Sequence, residues 1–557
     1  MNITLTSKQL YDKKKDSFNE LWARYDQDRD LVYMTDYKIK DSKGKPINNT
    51  VSVTMNKAAL DAKVVADRLM QAKKQLVIEG TKNNRPMRPK ETSKIEAFLE
   101  SAKMQADDLN KRRNVPGLRK FAANQLTVRG AAFRRVWTYL DDSYVPDILT
   151  ADIRYVVYEY GTDGLWWFGY TVSRPAYLVN EQYKTSISED KECELLCCYD
   201  DTKEDIWLES ELISTKKHKF GYAPGVVELC AEGFQLRDKD FLVHDHESAL
   251  WLNRKLYDSQ NMQASIEATL DLKTVIPPYV KPRKDMAGPD AAYPDKPGTI
   301  TEYPEGEIPT ILEQKDLNSA SRNFSQRIEA ALGAGGADAT DLGAHPIPDS
   351  AVLLQGLSEI RSRKDTARLE ALAGLDEQTD RMLIDQYKAG GFQSEVGIVG
   401  HKVNITPADL EGDYTIRYIY TAKDPKMEIV NMATAQAAAS MGIPKEVWVP
   451  DILKYDKPDE LLEAMDAAQA ERDDPTIGMF RRAHALVDEA EDLDGWEKES
   501  KLYEAQQLTL NACQILKNRT QPQPQEQPEG NSNALMALPK MMGGGTQRAP
   551  QEANNGL

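Results

Sequence analysis

Apolar residues recur every three to four positions through much of the first 137 residues, which is the spacing of an amphipathic helix. Between residues 57 and 80 this pattern is carried by Leu60, Val64, Leu69, Ala72 and Leu76. Residues 93–114 and 117–137 repeat it, and Pro116-Gly117 separates the two stretches. The pattern therefore predicts three helices in this part of the chain.

From about residue 137 the period shortens to two. Aromatic and β-branched residues alternate in residues 144–179 and 192–213, and the sequence Gly-Thr-Asp-Gly at 161–164 is typical of a turn. This alternation predicts about 90 residues of strands.

A long helical pattern begins near residue 245, where Asp245 is a candidate N-cap. It runs for more than 25 residues without Pro or Gly, which predicts a helix of about 40 Å. Its small and polar stripe is Ala249, Asn253, Gln260, Ala264 and Ala268, and its apolar positions are Leu252, Leu256, Met262 and Ile266. Two such dissimilar faces favour side-by-side packing in an assembly.

A proline-rich segment follows, with prolines from Pro277 to Pro309 that exclude helix and allow only short strands and turns. A second helical pattern covers residues 317–333. The stretch from Ala331 to Leu357 then combines Gly333, Gly335, Gly336 and Gly343 with prolines and aspartates, which predicts an acidic loop between helices.

The longest helical pattern of the chain covers residues 349–391. Asp349 or Ser350 could cap its start, Gly390-Gly391 could end it, and Gly356 and Gly374 are expected to bend it. Residues 395–421 again alternate as strands do. Residues 451–501 are helical in pattern and acidic, with 16 Asp and Glu against 7 Lys and Arg, and the low-complexity sequence beyond about 518 predicts disorder.

Composition restricts the possible functions. A chain of 557 residues is too long for one core, and its net charge of −17 argues against a groove that grips nucleic acid through clustered Lys and Arg. The five cysteines have no CxxC spacing, so we expect neither a disulfide framework nor a zinc site, and a reducing compartment fits better. No apolar run approaches 18 residues, so we expect no signal peptide and no membrane span.

No motif indicates a catalytic centre. The sequence lacks GxxxxGK[ST], GxSxG and HExxH, and the glycine-rich stretch follows a helix and lacks the lysine of a phosphate-binding loop. The run His244-Asp245-His246-Glu247 fits a capped helix start better than a metal site, because two histidines two positions apart do not share a helix face. Cys197-Cys198 lies in a strand-like run and favours packing. We therefore predict no enzymatic activity, no cofactor, no metal and no catalytic residue.

The long helix after the loop carries a basic cluster, Arg361, Arg363, Lys364 and Arg368. The cluster could pair with Glu359, Asp365 and Glu370 at i,i+4 spacing on a solvated face. It could also offer transient contacts to phosphates.

The order of these elements resembles that of the portal proteins of tailed bacteriophages. The stretches that carry the resemblance are ALWLNRKLYDSQNMQASIEATLDLKTVIPPYVKP for stem into clip, SRNFSQRIEAAL for the returning stem helix and GAGGADATDLGAHPIPDS for the tunnel loop. It covers roughly residues 240–430 well, the N-terminal part loosely, and the crown only in being helical. It implies an α+β, predominantly helical portal fold of wing, stem, clip and crown, assembled as a ring around a central channel.

The resemblance also implies domain boundaries. These are N-terminal helices and a β-rich wing (1–244), first stem helix (245–271), clip (272–315), second stem helix (316–333), tunnel loop (334–349), long wing helix and returning wing strands (350–430), acidic crown (431–517) and disordered tail (518–557). The tunnel-loop candidates are Gly335, Gly336, Asp338, Thr340, Asp341, His345 and Asp349. The clip surface that would meet partner proteins comprises Pro277, Pro278, Tyr279, Lys281, Arg283, Tyr293 and Tyr303.

The implied function is a channel at one capsid vertex through which double-stranded DNA is packaged and ejected. The implied partners are further copies of the chain, about twelve in all, double-stranded DNA bound without sequence specificity, the terminase large subunit, the major capsid and scaffolding proteins, and head–tail adaptor proteins. The implied location is the virion, and the host cytoplasm during assembly. A helical scaffolding or adaptor protein of the virion without a channel and a metal-dependent nuclease are the alternatives.

Overall fold

A computed structural model describes residues 5–141, 143–188, 192–232, 236, 241–277, 279–284, 298, 300–305, 319–337, 351–421, 425–453, 458–491 and 496–520. Helices make up 54% and strands 23%, and the strands form no closed barrel in this part of the chain. The prediction of a mixed, predominantly helical fold is therefore confirmed. The chain divides into two compact units, residues 1–463 and residues 464–557.

The helices are α1 (Ser7–Lys15), α2 (Asn19–Val32), α3 (Lys57–Gln71), α4 (Pro89–Arg112), α5 (Leu118–Val128), α6 (Ala176–Tyr183), α7 (Phe241–His244), α8 (Arg254–Val275), α9 (Ser319–Gly335), α10 (Ala351–Gly390), α11 (Pro425–Ser440), α12 (Lys445–Trp448), α13 (Pro458–Asp473), α14 (Pro475–Glu491) and α15 (Trp496–Thr520). Short 3₁₀ turns cover Asp16–Phe18, Ile153–Tyr155 and Pro407–Leu410, and a π turn covers Val449–Leu453.

The strands are β1 (Lys73–Lys82), β2 (Arg85–Pro86), β3 (Ala131–Leu140), β4 (Tyr144–Ala151), β5 (Val156–Tyr160), β6 (Leu165–Pro175), β7 (Glu192–Tyr199), β8 (Lys203–Leu208), β9 (Glu211–Lys217), β10 (Gly225–Leu229), β11 (Tyr279–Arg283), β12 (Ile300–Pro304), β13 (Glu395–Val396), β14 (Val403–Asn404) and β15 (Asp413–Thr421). They form sheets in the orders β15-β1-β2, β10-β3-β4 and β5-β6-β7-β8-β9, and the pairs β11-β12 and β13-β14. Only the β11-β12 pair is parallel.

The first unit has two large cores. In one, α4, α5 and α10 pack on the sheets that contain β1 and β3, through fully buried residues such as Phe98, Leu126, Leu375 and Tyr387. In the other, α1 and α2 pack on the five-stranded sheet. The predicted β-rich region is thus confirmed, although the stretch Ala176–Tyr183 inside it is helix α6.

Two predicted helices of the N-terminal region are too long. The helix predicted for 57–80 ends at Gln71, because residues 73–82 form β1, which pairs with β15 from Lys73–Thr421 to Thr81–Asp413. The helix predicted for 117–137 ends at Val128, and Gly130, with a φ of +74°, turns the chain into β3. In both cases a partner strand far away in sequence decides the conformation.

The first stem helix was also predicted to begin too early. It begins at Arg254 with Asn253 at its N-cap position, so Asp245 is not its cap. It ends at Val275 rather than 271. The predicted clip contains two short strands, as expected, and the second stem helix extends two residues further than predicted, to Gly335.

The long helix after the loop is continuous from Ala351 to Gly390, and its N-cap candidates Asp349 and Ser350 lie outside the described residues. Gly391, with a φ of +60°, ends it as predicted. Gly374 has another role than the predicted bend, since a Cβ there would lie 2.9 Å from the carboxyl carbon of Glu228. Gly374 therefore permits close contact between α10 and β10.

The second unit consists of helices. Its small core joins α14 to α15 through Ala483, Leu486 and Ala505. Ion pairs Arg519–Asp474 (2.8 Å) and Lys501–Glu489 (2.5 Å) connect the far and near ends of the two helices, which are therefore antiparallel. The predicted helical character of residues 431–517 is confirmed where the structure describes them, and α15 extends to Thr520. The predicted tail beyond residue 520 lies outside the described residues.

Candidate functional site

Helices α8 and α9 form an antiparallel pair. Asn253 donates to the carbonyl of Leu332 at 3.0 Å, and ten residues further along α8 Gln263 donates to Ser321 at 2.9 Å. Between these polar contacts, Ile328 and Leu332 pack with apolar residues of α8 and α3. The region predicted as two stem helices therefore folds as one packed pair, with the proline-rich segment between its helices.

The other side of α8 binds an extended segment. Residues 33–56, which we call the arm, connect α2 to α3. The backbone N–H groups of Met55, Val53 and Val51 donate to Asn261 Oδ1 (2.8 Å), Ser265 Oγ (2.9 Å) and Thr269 Oγ1 (2.9 Å). Two residues of an extended chain advance about 6.6 Å and four residues of a helix about 6 Å, so the two spacings match. The three side chains are buried.

A buried ionic cluster holds the start of α8 against α2. Arg254 donates to both carboxylate oxygens of Asp28 (2.6 and 2.9 Å) and to Glu247 (2.9 Å). His246 shares a hydrogen bond of 2.5 Å with the hydroxyl of Tyr25. Burial lowers the pKa of His246 well below its ordinary value, and neighbouring Arg24 lowers it further. These buried contacts explain why residues 245–248 do not begin the helix.

Asp61 of α3 fixes the end of α9. Its carboxylate accepts from Lys57 Nζ (2.7 Å), from the Tyr257 hydroxyl (2.7 Å) and from the backbone N–H of Ala337 (3.0 Å). A Cβ on Gly336 would lie 2.5 Å from Asp61 Oδ2, and one on Gly335 would collide with the amide of Asn253. These two predicted loop glycines are therefore closely packed residues at the end of α9.

The other predicted loop residues, Asp338, Thr340, Asp341, His345 and Asp349, lie outside the described residues. The structure therefore describes where this segment leaves α9 and where α10 begins. Their predicted role at a channel stays a prediction.

The basic cluster of α10 does not form one surface. Arg368 is buried and forms an ion pair with Glu232, and neighbouring Asp365 is also buried and lies 3.2 Å from Arg68. Lys364 donates to the carbonyl of Gly336 at 3.4 Å. Neither predicted role fits Arg368, because it lies neither on a solvated face nor within reach of a phosphate. The side chains of Arg361 and Arg363 lie outside the described residues.

The clip residues divide in the same way. Tyr279 is 59% exposed, Lys281 is exposed, and exposed Arg283 pairs with Glu302 at 2.8 Å. Tyr303 is buried, so the prediction that it belongs to a partner surface is wrong for this conformation. Pro277 is half-buried, and Pro278 and Tyr293 lie outside the described residues.

Large apolar side chains are exposed where α8 meets the clip strands. Val275 is 78% exposed and Ile300 65% exposed, and Ile276 and Tyr279 are also exposed. Tyr279 is the strand partner of Ile300, and the N–H of Gly298 donates to the carbonyl of Ile276 at 3.1 Å. These residues are therefore neighbours, and an exposed apolar group of this kind is typical of an interaction surface.

The residues with metal-binding or nucleophilic chemistry are not brought together. Among the described residues there is no group of three or more His, Cys, Asp or Glu that could hold a metal ion. Cys198 is buried in β7, and burial raises the pKa of Cys197 to about 11, which disfavours the thiolate. No described helix is long and apolar enough to cross a membrane.

Sequence reasoning missed the most connected residues of this region. Asn261, Ser265 and Thr269 recur every four residues, and that polar stripe could have indicated a buried face that binds a backbone. Asp61 has no comparable signal, because its donors come from α3, α8 and the end of α9. Comparison with known protein families gives no match, and no curated protein matches the chain either.

Proposed function

We propose that this chain is the subunit of a phage portal, a ring at one capsid vertex through which double-stranded DNA enters and leaves. The observation that carries the proposal is the unit α8, β11-β12 and α9, followed by a glycine-containing segment and a single 40-residue helix. A packed helix pair that leads into a partner-binding tip and returns to a segment at a channel is the arrangement that such a ring requires.

The electrostatics fit a channel that DNA passes without being held. Duplex DNA presents one negative charge per about 1.7 Å of its axis, so a basic lining would bind it strongly. This chain carries a net charge of −17, and its 334–349 segment contains three aspartates and no lysine or arginine. Such a segment would contact the duplex without retaining it.

The exposed apolar residues at the junction of α8 and the clip support a second part of the proposal. Val275, Ile276, Tyr279 and Ile300 would form the surface that meets the terminase motor during packaging and head–tail adaptor proteins afterwards. Aromatic residues are enriched in the buried centres of protein interfaces.

Electron microscopy and mass measurement of the purified protein test the proposal. The expected result is a ring with a central hole and a mass near twelve subunits. A stable monomer at micromolar concentration, or a rod without a hole, would contradict it and favour the adaptor or scaffolding alternative. DNA cleavage that depends on a divalent metal would favour the nuclease.

A further inference from the structure

Helix α8 is bound on two opposite faces. Gln263 points to α9 and Ser265 points to the arm, and two positions along a helix correspond to about 200° around its axis. The arm and α9 therefore lie on opposite sides of α8. Each of them presents an outer surface that the rest of the described chain does not cover.

The outer surface of α9 carries an aromatic side chain beside a cation. Phe324 is 49% exposed, and Arg327 and Ala331 follow it at i+3 and i+7 on the same flank of the helix, both exposed. Within the described residues, Arg327 has no hydrogen bond or ion pair. An exposed aromatic residue beside an arginine has the composition of an interface centre, where both residue types are enriched.

On the opposite side, a cleft of about 820 Å³ lies between α2, the arm and α8. This volume is in the range of sites that enclose several side-chain groups. Its apolar wall includes Leu31, Tyr37, Met55 and Tyr257.

The cleft also contains carboxylates that could receive a cation. Asp26 is paired with Arg154 at 3.1 Å and Asp30 with Arg29 at 2.8 Å. Asp36 and Asp258 form no hydrogen bond or ion pair within the described residues, although Lys38 and Lys40 also line the cleft.

We propose that α9 of one copy inserts Phe324 into this cleft on a second copy, with Arg327 beside Asp36 and Asp258. The inference rests on the proposed ring and specifies its subunit contact. Phe324 supplies the apolar group that the wall of Leu31, Tyr37 and Met55 would cover, and Arg327 supplies the charge opposite to that of the two aspartates.

The geometry also determines the type of contact. The two surfaces are different and lie on opposite sides of one helix, so each copy uses both of them at once. Such a head-to-tail contact generates a closed ring or a filament, whereas a twofold dimer joins identical surfaces.

The test is a charge exchange in the full-length chain, followed by mass measurement across a concentration series. Arg327→Asp places like charges against the cleft and is expected to raise the concentration needed for ring formation at least about tenfold. Phe324→Ala should also weaken assembly. Arg381→Asp, the same change at an exposed position of α10, should assemble as the original chain does.

Restoration by a second exchange separates this contact from general damage. Combining Arg327→Asp with Asp36→Arg or with Asp258→Arg should recover ring formation in at least one of the two, while each aspartate change alone should weaken it. If the original chain forms rings and Arg327→Asp leaves them intact, the contact is wrong and the portal proposal stands. If the original chain is a monomer or a twofold dimer, both proposals fail.

Discussion

Asp61 shows how one buried carboxylate can determine where a segment leaves a helix. It accepts hydrogen bonds from three different parts of the chain, and it is only 2% exposed. Removing it would leave the Tyr257 hydroxyl and the Ala337 N–H without a partner in a region that water does not reach. Unpaired buried polar groups each cost roughly 1–3 kcal/mol.

Asp61→Ala is therefore expected to lower the free energy of unfolding by about 3 kcal/mol and to speed hydrogen exchange at the Ala337 amide. Asp61→Asn keeps an acceptor oxygen and should cost about 1 kcal/mol. Asp67→Ala on the same helix breaks only the exposed pair with Lys63 and should change stability by less than about 0.5 kcal/mol. Equal losses for Asp61→Ala and Asp67→Ala, measured by urea unfolding, would show that Asp61 does not fix this junction.

Glu228 makes stability depend on pH in an unusual direction. Burial raises its pKa to about 7, and the neighbouring carboxylate of Glu377 adds to the rise. Between about pH 4.5 and 7 the folded chain then holds a proton that the unfolded chain has lost. This group therefore stabilises the fold below about pH 4.5, and its contribution is lost as the pH rises towards 7.

For Glu228→Gln, we expect this part of the pH dependence to disappear. A single group contributes at most about 1.4 kcal/mol per pH unit. The difference in melting temperature between variant and original chain should therefore widen in favour of the variant from pH 5 to pH 7. A constant difference across that range would show that Glu228 ionises in the folded chain as it does in water.

The same residues show the limits of prediction from sequence at this scale. Gly335 and Gly336 looked like loop glycines because only their composition was visible, whereas their close contacts come from Asn253 and Asp61, many residues away. Arg368 looked solvated because Glu232, its partner, is 136 residues distant. A sequence pattern reports local spacing, and these roles depend on contacts that are not local.

At the scale of elements, the pattern succeeded where a helix is long and packs against its own neighbours. The 40-residue helix α10 and the end of that helix at Gly391 were predicted correctly. It failed at Leu76, where residues with helical spacing instead form β1, because β15 supplies a strand partner more than 330 residues later. It also failed at Asp245, where buried contacts of His246 and Glu247 prevent the helix from starting.

The contact between the arm and α8 gives an element-scale prediction. Ser265→Ala removes the acceptor of the Val53 N–H and should cost about 1–2 kcal/mol. Amide exchange at Val53 should accelerate, because that N–H would have no other partner among the described residues. Thr274→Ala is the matched control on the same helix, since its hydroxyl bonds only the carbonyl of Leu270 and is exposed. Unchanged exchange at Val53 in Ser265→Ala would contradict the pairing.

At the scale of the whole molecule, the order of elements could be predicted from the sequence, but the surfaces available for assembly could not. The stripe Asn261, Ser265 and Thr269 resembles a polar outer face in the sequence, yet the arm covers it. Val275 and Ile276 resemble core residues, yet they are exposed in the chain. Which faces remain for other copies is decided by the fold of the complete chain.

The acidic segment after α9 gives the prediction at this scale. If the proposed channel passes DNA, Asp338→Lys with Asp341→Lys would turn repulsion of phosphates into attraction in every subunit. Rings should still form, because α8, α9 and the arm carry the assembly contacts. Packaging of DNA into empty heads that contain this variant should slow, and most strongly at low salt, where the Debye length exceeds about 10 Å. Asp163→Lys with Asp201→Lys makes the same change of charge at exposed positions of the β-rich region and should package normally. Equal packaging rates for the two variants at every salt concentration, with intact rings, would show that this segment does not act on DNA.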